Sequence, residues 1–268
     1  MTGHSQAPME LNTHIAHPAR VYDYWLGGKD NFPADIRAAE AVIAEMPEIR
    51  LAVRENRAFL RRVVRFLAGE AGIRQFIDLG AGLPTQGNVH EIAHQVAPDA
   101  QVVYVDNDPI VNVHGEALLA GQATSIVLAD LRDPAAALDH PGVRAAIDLD
   151  QPVAVLLLAV LHLVADTEDP GRIVAGYRDR IGPGSYLALS HGTADINTQA
   201  ARRAAERFAR APNAAPYVHR SHAEVLRFFD GLELVEPGLV QIPLWRPDGP
   251  LPEELERVNG YGGVGRKS

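Results

Sequence analysis

Five short apolar runs separated by helix-length stretches constrain this chain more than any other feature. Gln75–Gly80, Gln101–Asp106, Thr124–Ala129, Pro152–Val160 and Ser185–Ser190 are β-branched or leucine-rich, and each is bounded by Gly, Pro, Asp or Asn. Between them Asn88–Val96, Pro109–Leu119, Pro134–Ile147 (broken at Pro141) and Pro170–Ile181 read as helices. Strands alternating with helices predict right-handed crossovers and a parallel sheet covered on both faces. The fourth run is apolar at every position, as a central strand buried on both sides requires.

The rhythm changes after residue 190. Thr198–Arg210 and Ser221–Phe229 read as helices, the second opened by a Ser N-cap with Glu224 three positions on. Leu232–Val235 and Gln241–Trp245 read as strands joined through Pro237-Gly238, too close for a crossover and so an antiparallel pair. Before residue 75 the amphipathic stretches Pro33–Met46 and Arg50–Leu67 predict helices and no strand. The expected organisation is an N-terminal helical cap over residues 1–70 and an α/β core over residues 71–268, within one structural domain. The glycine-rich tail Gly260–Gly265 reads as low complexity.

Composition removes whole classes of function. With no cysteine in 268 residues there is no disulfide framework, thiol nucleophile or thiolate zinc site. A formal charge of -9 provides no global field for nucleic acid or anionic membrane. The arginines from Arg50 to Arg65 form a local basic face, read here as a solvated one. The most apolar run, Val153–Leu161, is far short of the roughly 20 residues that span a bilayer. Met1–Pro18 has no apolar signal core, so a cytoplasmic protein is expected.

The chemistry concentrates at the ends of the strands. Asp78-Leu79-Gly80-Ala81-Gly82 closes the first strand and leads into a helix, a turn that lets a ligand lie on bare amides. Dinucleotides and S-adenosylmethionine both use such a turn. A dinucleotide site needs a third small residue three positions after the second glycine, where this chain has Thr85 after Pro84. Asp78 suits a ligand with an ammonium group better than a pyrophosphate. Asp106 ends the second strand, placed to accept hydrogen bonds from ribose hydroxyls in either cofactor class. Asp130 ends the third, placed for an adenine amino group, with Leu131 against the ring. Asp108 reads as the N-cap of the helix opened by Pro109.

Two histidines follow the later strands. His162 and His191 are candidate general bases or buried, backbone-bonded imidazoles. His90-Glu91-Ile92-Ala93-His94 matches a zinc-protease pattern, but Pro98 ends that helix and its packing side puts the histidines on flanking or solvent positions, so no metal is expected. The leader carries Tyr22, Tyr24 and Trp25 beside Gly27-Gly28 and Asn31, a composition suited to a lid that excludes water.

Taken in order, RVYDYWLGGKDNF, RENRAFLRR, FIDLGAGLPT, VVYVDNDPIV, LADLRDP, PVAVLLLAVLHLV, GSYLALSHGT and FFDGLELVEPGLV with its LWRP resemble a bacterial family of S-adenosylmethionine-dependent methyltransferases. The resemblance runs from about Arg20 to the C-terminus; His94 departs from it, standing where a glutamine-like residue is expected. It implies a class I methyltransferase (Rossmann-like) fold: α/β, an open, mostly parallel seven-stranded sheet with an antiparallel last strand, plus an N-terminal helical cap. By position it implies cofactor contacts at Gly80, Gly82, Asp106, Asn107, Asp130 and Leu131, and makes Tyr22–Asn31 part of the pocket. The acceptor it leaves open. The charge balance favours a small molecule over nucleic acid or membrane; an NAD-dependent oxidoreductase and a non-catalytic cofactor-binding module remain the alternatives.

Overall fold

The computed structural model describes residues 12–84, 87–119, 124–209 and 216–268. The chain begins with α1 (Pro18–Leu26), α2 (Pro33–Glu45) and α3 (Ile49–Arg65), the last running into a π turn over Phe66–Glu70. Then come β1 (Gln75–Leu79), α4 (Val89–Val96), β2 (Gln101–Asp106), α5 (Pro109–Leu119) and β3 (Thr124–Leu128). Two short helices, α6 (Pro134–Asp139) and α7 (Pro141–Ala146), meet at the predicted break before Pro141 and lead to β4 (Ala154–Leu158). The rest is α8 (Pro170–Arg180), β5 (Tyr186–Gly192), α9 (Thr198–Ala209), α10 (His222–Leu226), β6 (Glu233–Leu234), β7 (Val240–Gln241) and β8 (Gly260–Arg266). Both Thr85, at the position of the third dinucleotide glycine, and Arg210, the expected end of α9, lie outside the described residues.

The sheet runs β3-β2-β1-β4-β5-β8-β6, and β7 also pairs with β8. Strands β1 to β5 are parallel and β8 is antiparallel to β5 along its whole length, as the class I methyltransferase fold requires. The position of the antiparallel strand corrects the sequence reading. Residues 233–234 and 240–241 do not pair with one another; both lie along β8, which is the glycine-rich tail.

Glycine belongs in β8 because bulky side chains press on it. A Cβ on Gly262 would stand 2.7 Å from the Phe59 ring, and one on Gly265 would stand 2.9 Å from Leu232 and Phe229. Phe59 is fully buried and meets the Trp245 ring edge-on at 5.5 Å, so it has little room to retreat. Gly262→Ala is therefore expected to destabilise the protein by about 1–3 kcal/mol, the usual cost of overpacking. An unchanged denaturation midpoint would contradict this account of the strand.

Alternation along the strands sorts residues between two cores. Phe76, Val102, Leu156, Ala188 and Val264 face the layer of α3 and α4. Ile77, Val103, Val155 and Leu187 face the layer of α7 and α8. Because β1 alternates, Asp78 shares a face with Phe76 and lies under α3, in an apolar layer. A third cluster joins α1 and α2 to α9, so the wall above the strand ends draws on segments distant in sequence.

The first helix was not expected from periodicity, yet its stop signals are local. His17 caps it, Pro18 opens it, and Gly27 closes it with φ 85°. The arginines of α3 also divide in a way composition does not reveal. Arg62 is buried and donates to the carbonyls of Trp245 (2.8 Å) and Ile242 (2.9 Å), Arg57 donates to the Gly87 carbonyl (2.8 Å), and Arg65 pairs with Asp248. Of that basic face Arg62 is spent inside the fold and Arg57 in part, while Arg65 and its partner stay exposed.

Candidate functional site

The sheet order reverses between β1 and β4, and a cavity of about 370 Å³ opens beyond the carboxyl ends of the strands there. Its floor is the turn after β1. Gly80 (φ 69°) and Gly82 (φ 67°) both occupy the left-handed region, which glycine enters without strain. Gly80 is also closed to side chains, since a Cβ would stand 2.4 Å from Val160. Over Gly82 the nearest atom to such a Cβ is 3.9 Å away, so that stretch of backbone is open to the cavity. The Gly82 amide donates to Asp106 Oδ2 (2.8 Å), tying the turn to the end of β2.

Three carboxylates meet this cavity in three electrostatic settings. Burial pushes the Asp78 carboxyl up to about 7, although the nearby Arg57 guanidinium works against the rise. Burial also raises Asp106, offset in part by the amides of Asp108 (2.9 Å) and Gly82 that donate to it. At Asp130 burial again pushes upward, but the bonds from Arg132 win and hold the carboxylate below its usual range. Arg132 Nε lies 2.9 and 3.0 Å from the two Asp130 oxygens and its other arm reaches Glu168. Asn107 and Leu131 complete this end of the cavity, and Asp108 Oδ1 accepts the Ile110 amide (2.9 Å) as an N-cap.

The opposite end is built from distant segments. Tyr22 and Trp25 come from α1, Asn56 and Leu60 from α3, Phe208 from α9, and Tyr217 from the approach to α10. A hydrogen-bonded chain crosses beneath them. The Ala159 amide donates to Ser190 Oγ (2.9 Å), and Ser190 donates to Asn56 Oδ1 (2.6 Å). Asn56 Nδ2 then donates to the Tyr22 hydroxyl (3.0 Å), which donates to the Val53 carbonyl (3.2 Å). This chain holds Ala159 at φ 55°, a conformation costly for a residue with a Cβ and typical of positions fixed for function.

With this geometry in view, comparisons with known proteins are informative. The model of the S-adenosyl methyltransferase family matches residues 4–268. The chain belongs to that family. A DUF574 family protein of Streptomyces avermitilis has a similar structure at 46% identity, with a TM-score of 0.91, covering 97% of this chain and 100% of its own. A Thermobifida fusca protein assigned as a methyltransferase follows at 44% identity and a TM-score of 0.90, covering 98% of this chain and 99% of its own. The N-methyltransferase NodS of Bradyrhizobium japonicum, in complex with S-adenosyl-L-homocysteine, shares the fold at 12% identity and a TM-score of 0.52, covering 92% of this chain and 98% of its own. No curated protein matches the sequence.

Membership in the methyltransferase family implies S-adenosylmethionine as cosubstrate and removes the dinucleotide alternative. The seven cofactor positions read from sequence, Asp78, Gly80, Gly82, Asp106, Asn107, Asp130 and Leu131, all line the one cavity. The leader splits. Tyr22 and Trp25 face the cavity, whereas Tyr24 donates to Glu40 (2.5 Å) on the outside. Gly27, Gly28 and Asn31 form a turn folded around Asp23, which accepts from Asn31 Nδ2 (2.9 Å) and the Asp30 amide (3.1 Å). The segment is thus a helix whose Tyr22 and Trp25 line the cavity, followed by a braced turn that does not line it.

The histidines separate as well. His162 lines the cavity; His191 does not. His191 is almost fully buried, its Nδ1 bonded to the Gly192 carbonyl (2.7 Å) and its Nε2 accepting from Arg220 (2.9 Å), and burial holds it down to about 3. Of the two readings the sequence left open, its position fits the buried, backbone-bonded imidazole and not the candidate base, since both nitrogens are engaged away from the cavity. The zinc-like pair also resolves as structure. His94 bonds the Ala100 carbonyl (2.9 Å), while His90 is buried against the Tyr104 hydroxyl (2.8 Å), not flanking as expected. Among the described residues no group of three or more His, Cys, Asp or Glu is placed for a metal, and no helix is long and apolar enough to cross a membrane.

Sequence reasoning passed over Asn56, Arg57, Arg132, Phe208 and Tyr217. Asn56 carried a signal, a lone amide within the apolar stripe of α3. Phe208 and Tyr217 carried none, because only the packing of α9 against α2 brings them over the strand ends.

Proposed function

We propose that this chain transfers a methyl group from S-adenosylmethionine to a small-molecule acceptor inside the cavity between β1, β4 and the N-terminal helices. One observation carries the site assignment: a buried carboxyl, Asp78, stands beside open glycine backbone with its pKa raised to about 7. A carboxylate in such a place is relieved by a cation, and the methionine ammonium supplies one. Asp106 would take the ribose hydroxyls, its free lone pairs sufficing beside the two backbone amides. Asp130 would take the adenine amino group, with Asn107 and Leu131 alongside.

The sulfonium supplies the activated methyl group. The chain's own contribution is orientation and exclusion of water, for which the rigid glycine turn and the braced wall of α1 are suited. The acceptor would enter at the Tyr22–Tyr217 end.

Two measurements test this reading. Titration calorimetry on the full chain should detect S-adenosylmethionine, and Asp106→Ala should weaken that binding by about 1.5–3 kcal/mol, the range for hydrogen bonds to a charged group. An unchanged affinity would remove Asp106 from the site. Single-turnover formation of S-adenosylhomocysteine with a metabolite extract separates an enzyme from a module that only binds.

A further inference from the structure

We infer that the methyl acceptor is an uncharged, planar aromatic molecule that stacks at the Tyr22–Tyr217 end of the cavity and presents a lone pair to His162 Nε2–H. This rests on the methyltransferase reading above and goes beyond it in naming the substrate class.

The lining of the cavity divides sharply by chemistry. Its carboxyl and guanidinium groups, Arg57, Asp78, Asp106, Asp130 and Arg132, lie around the glycine turn and the ends of β2 and β3. At the other end the described lining side chains are Tyr22, Trp25, His162, Phe208 and Tyr217 with aliphatic neighbours and the neutral amide of Asn56. Five rings in one pocket end offer flat, polarisable walls, against which a planar partner gains offset or edge contacts beyond simple burial. His162 and Tyr217 already lie as a tilted pair, with centroids 4.5 Å apart, and Phe208 meets Tyr217 edge-on at 6.0 Å. Among the described residues no carboxylate lines this end, so a cationic acceptor would leave water there without a counter-ion. An anionic one would have to compete for Arg57, whose guanidinium acts on Tyr22 but donates to the Gly87 carbonyl.

The polar atoms at this end are donors or are already committed. His162 Nδ1 accepts the Gly192 amide (3.3 Å), which places the ring proton on Nε2 and makes that atom a donor. Burial, reinforced by the neighbouring His191, holds the imidazole well below its ordinary range, so it stays neutral. The Tyr22 hydroxyl accepts from Asn56 and donates to Val53, and burial keeps it protonated. None of these groups is a free base. The acceptor must therefore bring its own nucleophile, a ring nitrogen or an ionisable phenolic oxygen. A lone pair other than the one held by His162, on a second heteroatom or the second one of a phenolic oxygen, forms the new bond to the methyl carbon. The carbon–sulfur bond breaks with its electrons to sulfur, and any proton on the acceptor passes to water.

The test uses the full chain saturated with S-adenosylhomocysteine and ligand-observed NMR titration at pH 7.5. The probes are 2-naphthol and isoquinoline against cyclohexanol, putrescine and glutarate. Both aromatic probes should bind at least about tenfold more tightly than the other three. Tyr217→Leu should lower aromatic binding by about fivefold or more, and Tyr217→Phe should retain it. Equal binding of aromatic and aliphatic probes overturns the inference, as does a Tyr217→Leu variant that binds both aromatics like the native chain. Should Tyr217→Leu fail to fold, the native chain's probe ranking still decides. Failure of S-adenosylhomocysteine itself to bind would be a different result: it overturns the methyltransferase reading, and this inference with it.

Discussion

Asp78→Asn is expected to make the ligand-free protein more stable at pH 8 while removing most of its affinity for S-adenosylmethionine. In the folded chain burial raises this carboxyl from the ordinary 3.8 to about 7. The fold therefore favours the protonated form. Stability linked to this group is fully present below pH 3.8 and is lost as the pH rises through 7. A rise of that size corresponds to about 4 kcal/mol by pH 8, as an order of magnitude. Asparagine is uncharged at every pH, so the variant escapes that cost, less the lost attraction of Arg57. Binding runs the other way. An ammonium needs the carboxylate, so native affinity should rise by up to about tenfold per pH unit from pH 5 to 7 and then level off. The variant should bind weakly and with little pH dependence. Denaturation at pH 6 and pH 8, with calorimetry at the same values, separates these outcomes. A variant no more stable than the native chain at pH 8, or with unchanged cofactor affinity, would show that Asp78 is not a cation seat.

That carboxylate was legible in the sequence because everything that defines it is local. A period-two run ending in Asp-x-Gly-x-Gly names both the strand end and the open backbone, and Asp106 and Asp130 repeat the pattern at the next two strands. Such signals are carried by neighbours within a few residues, which is where propensity and turn chemistry act. Strand β8 failed to show for the opposite reason. Its glycines are selected by Phe59, more than 200 residues earlier in the chain, and by Phe229 and Leu232, and no local property of residues 260–265 reports that pressure. The aromatic end of the cavity was hidden in part: Tyr22, Trp25 and His162 were named from the sequence, whereas Phe208 on α9 and Tyr217 were not, since only tertiary packing brings them there. His162 and His191 looked alike in sequence. What separates them is Arg220, which occupies one imidazole and leaves the other to the cavity.

Arg220→Leu is therefore expected to damage both the fold and the site. Arg220 is buried and spends its guanidinium on four acceptors: the carbonyls of Leu161 (2.9 Å) and Val164 (3.0 Å), His191 Nε2 (2.9 Å) and Asp166 Oδ1 (2.6 Å). Its plane lies over Phe228 at 5.6 Å. Leucine fills some of the volume but leaves two buried carbonyls and a buried imidazole nitrogen unpaired, at about 1–3 kcal/mol each before relaxation. A loss of about 3–5 kcal/mol is expected, as when one partner of a buried ionic cluster is removed. Lysine should not restore it, since one ammonium cannot reach acceptors arranged for a planar fork. The acid limb of stability offers a second readout. Burial chiefly, with Arg220 assisting, keeps His191 neutral down to about pH 3, so the unfolded chain takes up the proton first and stability falls as the pH drops below 6.5. Without Arg220 the imidazole can protonate beside Asp166, and that fall should be shallower. The effect on the site follows from geometry: the turn that Arg220 holds carries His162 and Leu163, so binding at the Tyr22–Tyr217 end should weaken more than cofactor binding. A variant with a native denaturation midpoint, or one that loses both affinities equally, would show that Arg220 does not set the position of His162.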